Sequence, residues 1–323
     1  MVAVPVNNTS EFLKAAGWDA ADCVPIAGDA STRKYFRLRR GRQTSVMMDA
    51  SPDPASVAPF IRINEHLQQL GLSAPMILAR DRESGFLLLE DFGDDTFARL
   101  LDNGRDAEEL FTLATDLLVS IHRHPQAIPE GLRAYDPKEM LADIELFLEW
   151  CTPEIAEAGR EQFRAAWREV LPVAHQVPAS LLLRDYHAAN LMWLPDRAGV
   201  RQAGLLDFQD ACQGPITYDL VSLLEDARRD VPEALREKLL ARYLHRFPAL
   251  DRPAFCTSLA ILAALRHTRV LAVFERLNRQ GQKPDYKRMH SPRVQHLLQR
   301  ALVHPALAGV KRWMDRYVDL GNR

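Results

Sequence analysis

The chain of 323 residues is long enough for two lobes that each bury a hydrophobic core. Its 41 Lys and Arg residues nearly balance its 43 Asp and Glu residues, so no net positive charge attracts a polyanion and nucleic acid is not an expected partner. The N-terminus has no basic region ahead of an apolar one, and the longest later apolar stretch, residues 259–265, ends at Arg266. Neither a signal peptide nor a membrane span is therefore expected.

The cysteines bear on the cellular compartment. No C-x-x-C pair occurs among them, which argues against a disulfide framework and against a zinc site. The pattern predicts reduced thiols, buried in the core of a cytoplasmic protein. The four residues concerned are Cys23, Cys151, Cys212 and Cys256.

The first third of the sequence predicts a small lobe rich in β-strands. One amphipathic helix is predicted over residues 55–70 and is stopped by Gly71. A turn of small residues, 28–33, can aim backbone N–H groups and hydroxyls at phosphate oxygens, and a plain hairpin turn would give the same pattern. Runs rich in β-branched and aromatic residues predict strands over residues 33–38, 45–48, 76–79 and 86–90.

The remainder of the sequence predicts mostly helices. Apolar residues recur at helical spacing over residues 110–121. Asp136 followed by Pro137 and Glu139 is a capping-box start, which predicts that a helix begins at this point. No internal repeat or low-complexity linker occurs, so the expected joint between the two lobes is the short segment 90–95.

The most informative stretch is residues 181–194, which read LLLRDYHAANLMWL. Asp185 follows an apolar run, and Asn190 comes five residues later. Asp207 ends a second apolar run, after the polar turn 195–199. This order predicts a catalytic loop, a short hairpin and a metal-binding turn.

Two interpretations of this pattern compete. Asp and Asn beside short strands are also ordinary turn and capping residues, and each of the three residues alone favours that interpretation. The joint spacing favours phosphoryl transfer, in which the first Asp accepts the proton of the attacking hydroxyl. The Asn and the second Asp then hold magnesium against the nucleotide phosphates, since this hard cation prefers oxygen ligands.

These residues resemble the catalytic core of the aminoglycoside phosphotransferase family, which are small-molecule kinases. The loop of that family reads His-Gly-Asp-x-His-x-x-x-Asn or close to it. Here Asp185, His187 and Asn190 match, while Leu183 and Arg184 replace the His-Gly pair.

The resemblance implies an α+β, two-lobed protein-kinase-like fold, with a small β-rich N-terminal lobe and a larger helical C-terminal lobe. Residues 1–94 would form the nucleotide-binding lobe. Residues 95–323 would carry the catalytic loop and bind the substrate. ATP and Mg²⁺ are the implied cofactors.

The resemblance also implies roles for single residues. Asp185 would be the catalytic residue that accepts the hydroxyl proton, and Asn190 and Asp207 would hold the magnesium ion. His187 and Asp219 would support the catalytic loop, with Asp219 near the start of the next helix. The implied nucleotide-binding residues are Ser31, Thr32, Arg33, Glu90 and Phe92.

One feature of the family is missing. A Lys is expected on the strand over residues 45–48, paired with a Glu on the helix of the first lobe, but its place is taken by Met48 or Asp49. Glu65 is the natural helix partner. Three explanations stay open: another cation replaces the Lys, the enzyme grips the nucleotide differently, or the chain binds without turnover. The candidate replacement cations are Arg33, Lys34 and Arg37.

The substrate is suggested by two segments beyond the metal-binding turn, residues 223–230 and 264–269, which are both predicted to be amphipathic. Both mix acidic residues or His with arginines, which suits a neutral or anionic sugar better than a polycation, because guanidinium groups recognise carboxylates in bidentate fashion. Arg228 and Arg229 are therefore the predicted substrate-binding residues. A solvated helix end is the alternative interpretation of this pair.

A closer resemblance exists to the sugar kinases of cell-wall recycling. It is carried by phrases such as GDASTRKYFRL over residues 28–38 and GLLDFQDACQGPITYDL over residues 204–220. It implies phosphorylation of the anomeric hydroxyl of N-acetylmuramate and N-acetylglucosamine, by a monomer whose partners are ATP and a small amino sugar. The alternatives are an aminoglycoside or other small-alcohol kinase, and a catalytically idle nucleotide-binding scaffold.

Overall fold

The computed structural model describes residues 8–26, 33–282 and 284–320. These residues form two compact units. The first unit contains the described residues of 1–105 and 189–210, and the second contains those of 106–188 and 211–323.

The compact units do not divide after residue 94. Residues 189–210 belong to the first unit, and their backbone is bonded within it, since the Trp193 N–H donates to the Asp95 carbonyl at 2.8 Å. The predicted division after residue 94 concerns the roles of the two lobes, and it stays a prediction.

The first unit is built on one antiparallel sheet of five strands, in the order β1-β2-β3-β5-β4. Helix α2 lies between β3 and β4 in the chain. The elements are α1 (Asn8–Ala15), β1 (Asp22–Ile26), β2 (Lys34–Arg40), β3 (Gln43–Asp49), α2 (Val57–Gln69), β4 (Ile77–Asp81), β5 (Phe86–Glu90) and α3 (Phe97–Asp102).

The period of two along each strand separates the faces of this sheet. Phe36 pairs with Met47, and Met47 pairs with Leu88, so these buried side chains share one face. Phe12 and Trp18 pack on them and complete a small apolar core. Val46 and Leu89, on the opposite face, line a cavity.

The predicted strands and helix of the first unit are confirmed by β2, β3, β4, β5 and α2. Gly71 follows α2 with a φ of 76°, a conformation that glycine adopts without strain. Helix α1 and strand β1 were not predicted from the sequence. The helix is short and polar, and β1 is an edge strand that contains Pro25, a residue that weakens any strand pattern.

The second unit is mainly helical, and the short hairpin β7–β8, which belongs to the first unit, interrupts it in sequence. With this hairpin included, the elements that follow α3 in the chain are α4 (Ala107–Arg123), α5 (Pro137–Trp150), α6 (Glu157–Ala174), β6 (Ala179–Leu182), β7 (Leu191–Trp193), β8 (Ala203–Leu205), β9 (Cys212–Pro215), α7 (Thr217–Leu224), α8 (Glu233–His245), α9 (Arg252–Arg279), α10 (Pro284–Ala301) and α11 (Ala308–Tyr317).

Helix α9 forms the centre of the second unit. Helices α5, α6, α7 and α10 pack against it, and it supplies a large part of the hydrophobic core. Among the described residues it is the one helix long and apolar enough to cross a membrane, but 72% of its most apolar stretch is buried inside the protein. The polar residues Arg266, His267 and Thr268 are buried as well, so the predicted amphipathic face over residues 264–269 is wrong.

Two further local predictions have opposite outcomes. The predicted helix start at Asp136 is confirmed, because the Asp136 carboxylate accepts the N–H groups of Lys138 and Glu139 at 2.9 Å. The prediction of four buried thiols is wrong. All four cysteines are free, but only Cys212 is buried, and Cys256 is exposed near the start of α9.

Candidate active site

The catalytic loop follows β6 and is held in a backbone conformation that few residues adopt. Arg184 has a φ of 68°, in the left-handed region, where a residue other than glycine is strained by about 1–3 kcal/mol. The N–H groups of Leu183 and Arg184 donate to the two oxygens of Asp219, at 2.5 and 2.9 Å. The Arg184 carbonyl accepts a hydrogen bond from Arg266 at 2.9 Å. These bonds hold the strained turn in place.

Asp219 is fully buried in the first turn of α7. Burial raises the pKa of its carboxyl to about 7, although the two backbone N–H groups and Arg266 favour the ionised form. Through the hydrogen bonds from Leu183 and Arg184, the Asp219 side chain contacts the backbone of the catalytic loop. Support of the catalytic loop by Asp219 stays a prediction.

The side chain of Arg184 points into a buried polar network. Its guanidinium forms an ion pair with Asp143 of α5 and lies over the ring of Tyr135, 4.7 Å from the centroid. Asp143 also accepts the Tyr135 hydroxyl at 2.8 Å and lies 3.4 Å from Arg269. The Arg at the place of the family's Gly is thus anchored at both its backbone and its side chain.

Asp185 comes next in the loop, and its side chain is 38% exposed. Burial alone would raise the pKa of this carboxyl, but Arg266, whose Nη2 lies 3.7 Å from Oδ1, Arg269 and other nearby cations lower it to about 2. Asp185 is therefore ionised at neutral pH. Such a group accepts a hydrogen bond from a hydroxyl readily but is a weak base.

His187 is buried, and its Nε2 lies 3.1 Å from Nη1 of Arg228. A guanidinium only donates, so this nitrogen accepts and the imidazole proton is on Nδ1. Burial and then the charge of Arg228 lower the pKa of His187 to about 4, which keeps the ring neutral at pH 7. The residue predicted to support the loop therefore contacts one of the predicted substrate-binding residues.

Arg228 and Arg229 are half-buried and lie in the turn after α7, which ends at Leu224. The alternative of a solvated helix end is thus wrong, because the pair is not on a helix. Arg228 lies 5.9 Å from the ring centroid of Tyr286 in α10, and its charge lowers the pKa of Asp185.

The predicted metal-binding residues lie in the first unit, at the two ends of the β7–β8 hairpin. The Asn190 amide nitrogen is 3.4 Å from Oδ2 of Asp207, and the Leu206 N–H donates to the Asn190 carbonyl at 3.0 Å. Asp207 has a φ of 57°, a second left-handed turn, and Gln209 donates to its Oδ1 at 2.9 Å. The carboxylate and the amide oxygen are donors that suit Mg²⁺.

The described residues contain no cluster of three or more His, Cys, Asp or Glu side chains that could hold a metal ion. Magnesium is commonly bound by one or two protein side chains, with the remaining positions filled by phosphate oxygens and water. Asn190 and Asp207 fit that kind of site.

A cavity of about 590 Å³ lies within the first unit, on the face of the sheet opposite its core. Glu90 and Phe92 line it, as do Asn190 and Asp207. Glu90 forms an ion pair with Arg197, whose guanidinium also lies 5.0 Å from the ring of Phe92. The apolar walls come from Ile26, Val46, Leu89, Met192 and Leu206. A cavity with apolar walls and a few polar groups is typical of a small-molecule or cofactor site.

The register of the sheet identifies the place of the missing Lys. Val46 lines the cavity, and Met48, two residues further along β3, is on the same face and fully buried. Asp49 therefore points to the other face. Glu65 has a different partner, since it pairs with Arg80 at 3.0 Å with both side chains about half exposed. An apolar side chain has taken the place of the Lys.

The three candidate replacement cations differ in their surroundings. Arg37 is bound to Asp91 at 2.8 Å and to Asp94 at 2.6 Å, so these two carboxylates neutralise its charge. Lys34 is exposed. Arg33 hydrogen-bonds the side chain of Tyr35, which lines the cavity. Ser31 and Thr32 lie outside the described residues.

The sequence did not indicate the residues that set the charge of the catalytic loop. Arg266 and Arg269 come about 80 positions after Asp185, and Asp143 comes about 40 before it. Residues 264–269 were singled out for their arginines, which was the available signal, but a helical pattern does not show which loop the helix packs on. No comparable signal marks Asp143.

A five-stranded antiparallel sheet with a helix between its third and fourth strands in the chain, a helical second unit and an Asp–Asn–Asp loop and hairpin define the protein-kinase-like class of phosphotransferases. The chain belongs to the phosphotransferase enzyme family, whose family model matches residues 22–256. The predicted family and fold are thus confirmed.

Several known proteins are similar to this chain. An N-acetylmuramate/N-acetylglucosamine kinase of Caulobacter vibrioides is 35% identical, over 97% of this chain and 96% of the relative. A protein of the same name from Neisseria meningitidis serogroup B is 36% identical, over 86% of this chain and 85% of the relative.

Solved structures show the same fold at low identity. The choline kinase LicA of Streptococcus pneumoniae superposes with a TM-score of 0.64 at 16% identity, covering 94% of this chain and 99% of that one. The streptomycin–ATP complex of the aminoglycoside phosphotransferase APH(2")-IIa superposes with a TM-score of 0.58 at 16% identity, covering 82% and 91%.

Proposed function

We propose that the protein is an ATP-dependent kinase that phosphorylates the anomeric hydroxyl of N-acetylmuramate and N-acetylglucosamine, giving the sugar 1-phosphate in peptidoglycan recycling. The observation that carries this proposal is the setting of Asp185, an ionised and partly exposed carboxylate surrounded by arginines. An acceptor in cationic surroundings suits a neutral or anionic sugar and repels a polycation. The names of the 33–36% identical relatives support the same substrates.

Asp185 would accept the hydrogen bond of the attacking hydroxyl and aim its oxygen. Because the pKa of the carboxyl is about 2, the proton would transfer late, after the bond to phosphorus has largely formed. Arg266 would keep the carboxylate ionised and oriented. Asp219 would support the loop through the N–H groups of Leu183 and Arg184.

The cavity of the first unit would bind ATP. Its apolar walls suit the purine ring, and Glu90 and Phe92 line this cavity. Asn190 and Asp207 would hold Mg²⁺, which supplies positive charge to the nucleotide phosphates when bound. Arg33 is proposed to contribute a further positive charge, together with the backbone and hydroxyls of the turn before it.

The cellular setting is also a proposal. The balanced charge and the buried α9 support a cytoplasmic protein without a nucleic-acid or membrane partner. We also propose that a single chain carries out the reaction, as the sequence resemblance implies.

The test is an assay of ADP formation coupled to NADH oxidation, run with Mg²⁺ and ATP over a panel of sugars. N-acetylmuramate and N-acetylglucosamine should support turnover, and kanamycin and gentamicin should stay at the rate of ATP alone. Turnover with an aminoglycoside and with neither sugar would contradict the proposal. A rate equal to that of ATP alone with every acceptor would support an idle scaffold instead.

A further inference from the structure

We propose that His187 is a positioning residue that holds Arg228 as the selector of sugars bearing a carboxylate. The inference rests on the proposed function. The two sugar substrates differ in one charged group, because N-acetylmuramate carries a lactyl carboxylate that N-acetylglucosamine lacks. A residue that binds this carboxylate would set the preference between them.

The contact between the two side chains is directional. Nη1 of Arg228 donates to Nε2 of His187 across 3.1 Å, and the imidazole is buried within the catalytic loop two residues after Asp185. The buried ring cannot turn without breaking this bond. The loop that carries the proton acceptor therefore also fixes one side of the Arg228 guanidinium.

The contact with His187 orients the Arg228 guanidinium, and the acceptor in this contact is a buried, neutral imidazole. A hydrogen bond to a neutral acceptor fixes geometry and leaves the positive charge of the donor intact. An oriented guanidinium is the group that best matches a carboxylate, since its donors bind both oxygens.

The main chain of Arg228 is also held. Its N–H donates to Asp226 at 2.8 Å, and Arg293 of α10 donates to the Asp226 carbonyl at 2.9 Å. The ring centroid of Tyr286 lies 5.9 Å from the Arg228 guanidinium. A charged group fixed at its backbone and its tip loses little conformational freedom on binding, and this preorganisation favours tight and selective recognition.

The experiment compares two substitutions of His187 in the full chain. His187→Phe keeps a planar ring and removes the acceptor, and His187→Gln keeps an acceptor oxygen near the position of Nε2. Steady-state kinetics with both sugars give KM, kcat and the ratio of the two kcat/KM values. The phenylalanine variant should raise the KM for N-acetylmuramate about tenfold more than that for N-acetylglucosamine, and the glutamine variant should restore most of the ratio.

Arg228→Ala should change the ratio by about ten- to a hundred-fold, and adding His187→Phe to it should change the ratio no further, because both substitutions remove one interaction. Arg229→Ala shows whether the neighbouring arginine carries the effect instead. Arg288→Ala is the matched control, since this side chain of α10 is 78% exposed and pairs with Asp285 on the surface. It should leave both rates unchanged.

Three results would overturn the inference. Equal losses on both sugars in His187→Phe without rescue by glutamine would reduce His187 to loop support. An unchanged ratio in Arg228→Ala, which can be measured even if His187→Phe fails to fold, would exclude Arg228 as the selector. A wild-type enzyme that accepts neither sugar would remove the proposed function itself, and this outcome is seen before any variant is made.

Discussion

The carboxylate of the catalytic loop in the second unit and the carboxylates of the cavity in the first unit have different neighbours. The charges of Arg266, Arg269 and Arg228 lower the pKa of Asp185, and Nη2 of Arg266 lies 3.7 Å from its Oδ1. Among the described residues that line the cavity, the acids are Glu90, Asp91, Asp94 and Asp207, and the cation is Arg37.

This difference suggests how the sugar and the nucleotide are bound. The arginines near Asp185 can bind an anionic sugar directly. The cavity does not offer nucleotide phosphates a comparable cation, because Arg37 is already bound to Asp91 and Asp94. A magnesium ion that binds together with the nucleotide would supply positive charge to the phosphates. Asn190 and Asp207 are the residues expected to hold this ion.

The largest effect is expected at the proton acceptor. Asp185→Asn should lower kcat by about a hundred-fold or more, because the amide cannot take the hydroxyl proton. The melting temperature should stay near that of the wild type, since the side chain is partly exposed. A kcat within about tenfold of wild type would remove Asp185 from the proposed mechanism.

A somewhat smaller effect is expected at the acidic cavity. Asp207→Ala should weaken ATP binding at least about tenfold in the presence of Mg²⁺, and it should change binding little when EDTA is present. Isothermal titration with and without the metal measures both affinities. An unchanged magnesium dependence would contradict the metal assignment, and the charge of the cavity would need another explanation.

The cationic surroundings of the catalytic loop should matter for stability as well as for chemistry. Arg184→Met breaks a mostly buried ion pair with Asp143 and should lower the free energy of unfolding by about 3 kcal/mol in urea denaturation. The matched control is Arg168→Met, which breaks the pair with Glu161 on the surface of α6, where both side chains are about half exposed. That loss should stay below about 1 kcal/mol. Similar losses in the two variants would mean that the buried network stabilises little.

The last expected effect depends on pH and comes from the neutral histidine. His187 binds a proton with a pKa of about 4 in the folded state and near 6.5 in the unfolded state, so the unfolded chain holds more protons between these values. Stability should therefore fall as pH falls from about 6.5 to about 4, by up to the order of 3 kcal/mol from this residue. His187→Gln should show a shallower loss over the same window. An identical slope in the variant would show that His187 titrates normally.

How much of this could be predicted from the sequence depends on distance along the chain. Asp185, Asn190 and Asp207 lie within 23 residues of one another, and their spacing alone predicted the loop and the hairpin. The family resemblance predicted that Asp219 supports the loop, and this role stays a prediction. Arg266 and Arg269 were not linked to Asp185, because burial in α9 brings them to the loop and no local pattern marks them.

In the first unit, too, some side-chain pairings could not be predicted from the sequence. The strand pattern located β3, but only the sheet register shows that Met48, and not Asp49, shares the cavity face with Val46. The partner of Glu65 was equally hidden, since Arg80 comes from a different strand. Pairings across a sheet depend on the fold as a whole, which composition and spacing do not specify.

The central claim is transfer of phosphate to the anomeric hydroxyl, and the product tests it most directly. The enzyme is incubated with Mg²⁺, ATP and N-acetylmuramate until ADP formation stops, and the product is examined by phosphorus NMR and by a reducing-sugar assay. The account predicts a phosphate coupled to the anomeric proton, with one reducing end lost for each ADP formed. A phosphorylated product that keeps its reducing end would contradict it.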